Sequence, residues 1–288
     1  MPALQTQVSF VNAWECDEND HLNVQFYFGR FEEADQHFRA MTGLDPALVR
    51  SARHVRYHAE LRKGELVEVE SGFAGDGGDG MAVVHILKNL SDGRICATAL
   101  DTFDAHVREL TAIATRVGAA VDVPPRLYQP RGITGPLPDA ISIEALRARG
   151  GFVTARSVIR PADTGADGVA TERAHVGHVS DGASNVWETI GVTKALLDAQ
   201  GWGRVAVEMR MVLFDAYAPG DLLEQVSGLL DATDRTIHFR HHQYEARTGR
   251  LVAIVDALGL AMSLTTRKAV RFPDDVIAAA PRLTGAAA

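Results

Sequence analysis

The chain repeats itself. Gly64-Glu65 has a counterpart in Gly220-Asp221, and Gly93-Arg94 in Gly249-Arg250, both at a spacing of 156 residues. Such a duplication constrains the fold more than composition does, because each copy must supply the same structural unit. A length of 288 residues allows two copies, each of about 140 residues and of ordinary domain size.

In the first copy, alternating stretches cover 53–60, 65–74, 81–90 and 94–104. Lys63-Gly64, the run Gly75-Asp76-Gly77-Gly78-Asp79-Gly80 and Ser91-Asp92-Gly93 separate them. This reads as an antiparallel meander of hairpins. Ahead of it, Val24, Tyr27, Phe28, Phe31, Ala34, Phe38 and Met41 recur at three- and four-residue steps. That spacing predicts a helix over 24–41 with a broad apolar face, capped by Asn23 and closed by Gly43. The second copy repeats the order: a strand over 152–160, a helix over 183–200 stopped by Gly201, then strands over 204–213, 221–230, 235–245 and 251–263. Between the copies stand Pro124, Pro125, Pro130, Pro136 and Pro138, so 109–150 reads as a linker with a short helix over 141–148. The expected organisation is a first domain 1–108, the linker 109–150, and a second domain 151–288 whose tail frays after Pro281. The class is α+β, each half a long helix wrapped by an antiparallel sheet.

Charge narrows the partners. Lys and Arg number 29 against 37 Asp and Glu, a net of −8. Broad nucleic-acid or anionic-membrane binding needs clustered positive charge, so neither is expected. Two cysteines, Cys16 and Cys96, make no disulfide framework. No secretory leader is read in residues 1–7, and no run approaches the roughly 20 apolar residues of a membrane span, so a cytoplasmic location is expected.

Trp14-Glu15-Cys16-Asp17, His21-Leu22-Asn23 and Phe31-Glu32-Glu33-Ala34 follow one another at the entrance and inside of the first helix. With the element order, these residues resemble the hotdog fold, and more narrowly the 4-hydroxybenzoyl-CoA thioesterase-type acyl-CoA thioesterases. The resemblance spans nearly the whole chain as a tandem double hotdog, closely in the first half and weakly in the second. One departure is Asp20, where that family usually has Gly before the His. The resemblance implies a thioesterase acting on a short- or medium-chain acyl-CoA, with coenzyme A as part of the substrate, no separate cofactor and no metal. It implies that Asp17 is the catalytic carboxylate, and that the slot lies between paired hotdog halves. A homodimer of double-hotdog chains stays open.

The residues themselves allow two readings. Asp17, Asn19 and Asp20 are turn-formers and Asn23 is a plain helix cap. Alternatively, Asp17 is a general base or nucleophile, His21 and Asn23 orient the carbonyl or the water, and the helix N-terminus at Val24 receives the oxyanion. Tyr27 and His178 join Val24 as candidate substrate contacts. Glu33 is a candidate assistant whose alternative is a solvated or ion-paired acid. Gly177-His178-Val179-Ser180 echoes Asp20-His21-Leu22-Asn23, but no carboxylate stands four residues before His178. The first half is therefore expected to hold the chemistry and the second to supply walls.

Coenzyme A phosphates call for Lys or Arg at one rim, from among Arg53, Arg56, Lys63, Lys88, Arg94, Lys194, Arg204 and Arg235. The Gly75–Gly80 run lacks the Lys and Ser/Thr of a phosphate loop and reads as a flexible hairpin tip. His238 and His242 share a strand face while His241 points away, and no zinc pattern accompanies them. Cys16 has no base to activate it. Trp14, Tyr27, Trp187 and Trp202 read mostly as core, with an aromatic cage for a quaternary ammonium acyl group as the sharper alternative. Two other functions compete. A hotdog enoyl-CoA hydratase or dehydratase is suggested by the Asp–His loop, which lacks that pattern's Pro and is one residue short. A non-catalytic acyl-CoA-binding protein is the other.

Overall fold

The three-and-four apolar step folds as α1, Val24–Thr42. The Asn23 side chain accepts from the Gln25 N–H at 3.1 Å, and Gly43 ends the helix at φ 74°, a left-handed turn that a Cβ disfavours. Tyr27, Phe28, Phe31, Ala34 and Phe38 are buried along it. The structure, a computed structural model, describes residues 2–75, 81–103 and 107–284. The chain divides into two units, Met1–Arg131 and Gly132–Ala288. Among the described residues no helix is long and apolar enough to cross a membrane.

In the first unit, β1 (Leu4–Phe10), β2 (Arg50–Tyr57), β3 (Leu66–Gly75), β4 (Met81–Asn89) and β5 (Ile95–Phe103) run in the spatial order β1-β3-β4-β5-β2. Every neighbouring pair is antiparallel. The aromatic face of α1 lies on the sheet, with Phe38 edge-on to Phe73 at 5.0 Å. A further helix, α2 (Val107–Val117), adds Leu110 and Ile113 to the same cluster. The Gly75–Gly80 hairpin tip lies, apart from Gly75, outside the described residues.

The second unit has the same plan. After α3 (Ile143–Ala148) come β6 (Phe152–Val158), α4 (Glu172–Thr189), α5 (Lys194–Gln200), β7 (Trp202–Leu213), β8 (Leu222–Ala232), β9 (Ile237–Glu245), β10 (Arg250–Ser263) and α6 (Asp274–Ala279). Its antiparallel sheet is ordered β7-β10-β9-β8-β6. The duplication reaches single hydrogen bonds. Under α1, Thr6 Oγ1 meets Ser71 Oγ at 2.7 Å and Ser71 meets His85 Nδ1 at 2.6 Å. In the second unit, Thr154, Ser227 and His241 repeat the chain at 2.7 and 2.8 Å. Each unit is thus the expected α+β hotdog, one long helix against a five-stranded antiparallel sheet.

Three expectations change. The helix read over 183–200 is two helices, and the first begins eleven residues earlier. Gly177, Ser180 and Gly182 look like loop residues, but a Cβ on Gly182 would fall 2.5 Å from Gln225 Nε2, so glycine there lets α4 approach the sheet. Gly191, at φ 85°, turns the chain before Thr193 caps α5. The segment 109–150 carries structure: α2 occupies its start, α3 its end, and the boundary between the units falls at Arg131. The tail does not fray directly after Pro281, because the Leu283 N–H donates to Leu229 O at 2.7 Å and its side chain is buried.

The core of the first unit also holds a charged pair. Arg53 and Asp101 are both fully buried, with Arg53 Nε donating to Oδ1 at 2.8 Å and Nη2 to Oδ2 at 2.6 Å. Burial alone would raise the Asp101 carboxyl, but Arg50 and Arg53 hold it well below the usual carboxylate range. Replacing Asp101 by Asn strands a buried guanidinium, and urea denaturation should show a loss of about 3–5 kcal/mol. A depressed carboxyl stabilises the fold above its unfolded pKa of about 3.9 and loses that contribution as pH falls through the folded value. The gap between variant and parent should therefore narrow in acid.

Candidate functional site

The segment between β1 and α1 builds the site. A 3-10 turn, Ala13–Glu15, follows β1. Glu15 folds back onto the Asn12 N–H at 2.7 Å and is gripped by Arg30 at 2.9 Å. Cys16 and Leu22 then form an antiparallel bridge, and the Asp17 N–H donates to His21 O at 2.8 Å. Closing so short a loop needs one left-handed residue, and Asp20 supplies it at φ 59°. Asp tolerates this region better than most residues. That explains the Gly/Asp departure: the position demands positive φ, whichever residue fills it.

Inside the loop, Asp17 Oδ1 accepts from the Asn19 N–H at 2.8 Å and the His21 N–H at 3.2 Å. Oδ2 has no protein donor among the described residues. Burial raises the Asp17 pKa above its ordinary value, against the opposing pull of the two N–H groups. His21 is 5% exposed, and its Nε2 lies 3.1 Å from Glu60 Oε2. Leu22 N–H to Leu61 O, at 2.8 Å, ties the loop to the same segment. Glu60 is a site residue that the sequence reading did not find; 39 residues and no local signal separate the His21–Glu60 partners. Asn23 is occupied as the α1 cap, and the Val24 N–H, first of the helix, has no intrahelical acceptor. Tyr27 is buried edge-on to Tyr57 at 5.1 Å. Its phenol is pushed well above its ordinary value, chiefly by burial.

Asp17, His21, Asn23, Val24 and Tyr27 thus gather at one helix entrance. Glu33 does not join them: it is exposed two turns further along and accepts from Gln7 Nε2 at 3.4 Å. Arg30 pairs with Glu15, not with Glu33. Cys16 has its thiol pKa raised by burial, the wrong direction for a nucleophile. Trp14 is 78% exposed, not core. Trp187 and Trp202 pack in the second unit's own core.

The structure also fixes the register of the second copy. Asn12 matches Arg160, the Cys16–Leu22 bridge matches Thr164–Ala170, left-handed Asp20 matches left-handed Gly168, and cap Asn23 matches cap Thr171. Here the spacing is 148, against 156 in the sheets. The eight-residue difference falls after the long helix, where α5 is inserted. At this spacing Gly165 stands for Asp17 and Val169 for His21. Gly177-His178-Val179-Ser180 is therefore not the counterpart of the first loop. His178 sits in the middle of α4 at the position of Arg30. It is buried with neither ring nitrogen hydrogen-bonded, and burial lowers its pKa.

Of the proposed phosphate contacts, Arg53 is consumed by Asp101. Lys63, Lys88, Arg94, Lys194 and Arg235 each face a neighbouring acid. Asp35, His85 and Asp101 lie close enough to share a metal ion. The guanidinium of Arg53, 2.6 Å from Asp101 Oδ2, already holds the oxygen a cation would need.

A family model described as the thioesterase-like superfamily matches residues 11–129 and again 159–280. No curated protein matches the chain. Among solved structures, a putative oleoyl thioesterase from Lactobacillus plantarum is similar at TM-score 0.59 and 11% identity, covering 90% of this chain and 96% of that one. A 12:0-ACP thioesterase from Umbellularia californica is similar at 0.58 and 11%, over 88% and 93%. An acyl-ACP thioesterase from Bacteroides thetaiotaomicron is similar at 0.58 and 12%, over 88% and 96%. At these identities the likeness is one of fold.

The helix entrance can be tested apart from any chemistry. Asn23→Ala leaves the Gln25 N–H without its cap and should cost about 1 kcal/mol in a denaturant titration. Asn23→Ser should restore most of that loss, since its hydroxyl can accept the same bond.

Proposed function

The chain belongs to the thioesterase-like superfamily, and from that premise we propose that it hydrolyses a short- or medium-chain acyl-CoA, with Asp17 as the working carboxylate. Membership makes it a thioester hydrolase; the substrate and the residue roles are our reading. The observation that carries them is the Asp17 carboxylate at the entrance to α1, one oxygen held by two backbone N–H groups and the other unengaged. An acid so placed is fixed in direction and retains a free oxygen to meet a water.

In this mechanism Oδ2 takes a proton from water as that water attacks the thioester carbonyl. The oxyanion forms against the Val24 N–H and the positive end of α1. Collapse of the tetrahedral intermediate breaks the C–S bond, and the departing thiolate recovers the proton from Asp17. Direct attack by Asp17, giving an anhydride that water then cleaves, uses the same geometry. His21, fixed by Glu60, and Asn23, fixed as a cap, hold the loop that aims the carboxylate. Tyr27 contributes apolar wall. Glu33, exposed and two turns away, has no part in this scheme, and none is assigned to His178.

The neighbours named as acyl-ACP thioesterases raise a second reading, an acyl chain delivered on a carrier protein. The net charge of −8 weighs against an acidic carrier and favours coenzyme A. An acyl panel offered on both thiols and read by thiol release should give the higher kcat/KM with coenzyme A. The reverse ranking would transfer the proposal to the carrier.

Asp17→Asn should lower kcat about 10²–10⁴-fold, the usual worth of a placed general base. Asp17 works as the carboxylate, so kcat/KM should fall as pH drops through its pKa. Because burial raises that pKa, the fall should begin above the value of about 3.9 for a free aspartate. The acidic limb should be absent from the residual activity of Asp17→Asn.

A further inference from the structure

On the outer face of the second unit's sheet is a cavity of about 640 Å³, within the range of roughly 300–1,000 Å³ of small-molecule sites. Strand alternation makes its floor. His241 turns inward to Ser227, so His238, Arg240 and His242 of β9 face outward beside Arg210 of β7. The roof is the strap 132–141. Gly132 and Ile133 donate their N–H groups to Glu208 at 2.8 and 3.1 Å, Gly135 O accepts from Arg210 Nη1 at 2.6 Å, and Ile141 O accepts from the Tyr244 hydroxyl at 3.0 Å. Between these anchors two prolines, Pro136 and Pro138, carry the chain across the opening.

The floor has an excess of one positive charge. Asp256, 1% exposed, accepts from Arg210 Nε and Nη2 at 3.1 and 2.7 Å and from Arg240 Nε and Nη2 at 2.6 and 3.2 Å. Two guanidiniums share one carboxylate, and Arg240 Nη1 has no protein acceptor among the described residues. His242 is 3% exposed, yet its Nδ1 has no hydrogen-bond partner. Burial pushes its pKa down to about 3, so it brings no charge. His238 Nε2 stands 3.5 Å from Asp256 Oδ1. Buried polar groups are seldom left unmatched without a reason. Leu137, Leu146, Leu230 and Leu283 supply an apolar lining, and Asp139, Arg149 and Asp231 stand exposed at the rim.

We propose that this cavity binds a small amphiphilic monoanion, an aliphatic carboxylate whose head meets Arg240 and His242 and whose chain lies beneath the strap among the leucines. One surplus charge suits a monoanion. A dianionic phosphate would meet Asp256 below and Asp139 and Asp231 at the rim. The site is separate from the Asp17 loop and does not depend on its chemistry.

Calorimetric titration of the whole chain with decanoate tests this, with decanol and inorganic phosphate as comparison ligands. The expected result is a saturable decanoate event at least tenfold tighter than either comparison. Arg240→Gln and Leu137→Glu should each weaken it at least tenfold and leave acyl-CoA hydrolysis within about twofold. If Arg240→Gln lowers the melting temperature, Leu137→Glu decides, because Leu137 is 43% exposed and can accept a charge without unfolding the unit. Absence of decanoate binding, phosphate binding the tighter, or unchanged binding in Leu137→Glu overturns the proposal. So does binding that disappears only in Asp17→Asn, which would place the carboxylate at the other site.

Discussion

The backbone reversal between Cys16 and Leu22 governs the first site. Its closure sends the Asn19 and His21 N–H groups back onto Asp17, and it delivers the chain to Asn23 in position to cap α1. Asp20 makes this possible by turning left-handed. The carboxylate, the helix dipole and the buried imidazole are therefore consequences of one local geometry. The connection between β2 and β3 supplies the rest: Leu61 and Glu60 fasten the loop from there.

The second copy keeps that geometry without the acid and the imidazole. Its bridge, left-handed residue and cap are intact, but Gly165 and Val169 occupy the positions of Asp17 and His21. Charge has been redistributed in the sheets as well. The residue 156 beyond Asp101 is Ala257, so that position carries no acid in the second unit. Instead, the next residue back, Asp256, faces outward and gathers Arg210 and Arg240. The Thr–Ser–His chain remains in both halves, buried and closed to solvent. It belongs to the shared scaffold, and the divergent acids mark where the copies took different roles.

Much of this was legible in the sequence because it rests on local rules. Asn23, Gly43 and the apolar step of α1 obey capping and periodicity, and the hairpin glycines mark the strands nearly to the residue. What depended on distant partners was not legible. Nothing near residue 21 points to Glu60, and nothing near Arg53 points to Asp101. The start of α4 is hidden because glycines that serve close packing read locally as breakers. The register of the second loop is hidden because an insertion after the helix makes the spacing 148 before it and 156 beyond it. Pairing His178 with His21 takes a spacing of 157, close to that of the sheets and nine residues away from the loop's own 148.

The central claim is that one loop of the pair carries the chemistry. The most direct measurement compares thiol release by Asp17→Asn with release by a chain in which both acids of the second loop, Asp163 and Asp167, are changed to Asn. Asp163 occupies the structural position of Glu15 and Asp167 that of Asn19. Their loss is expected to leave kcat near the parent value, while Asp17→Asn abolishes most of it. Hydrolysis that survives in Asp17→Asn and fails in the second-loop variant would contradict the account.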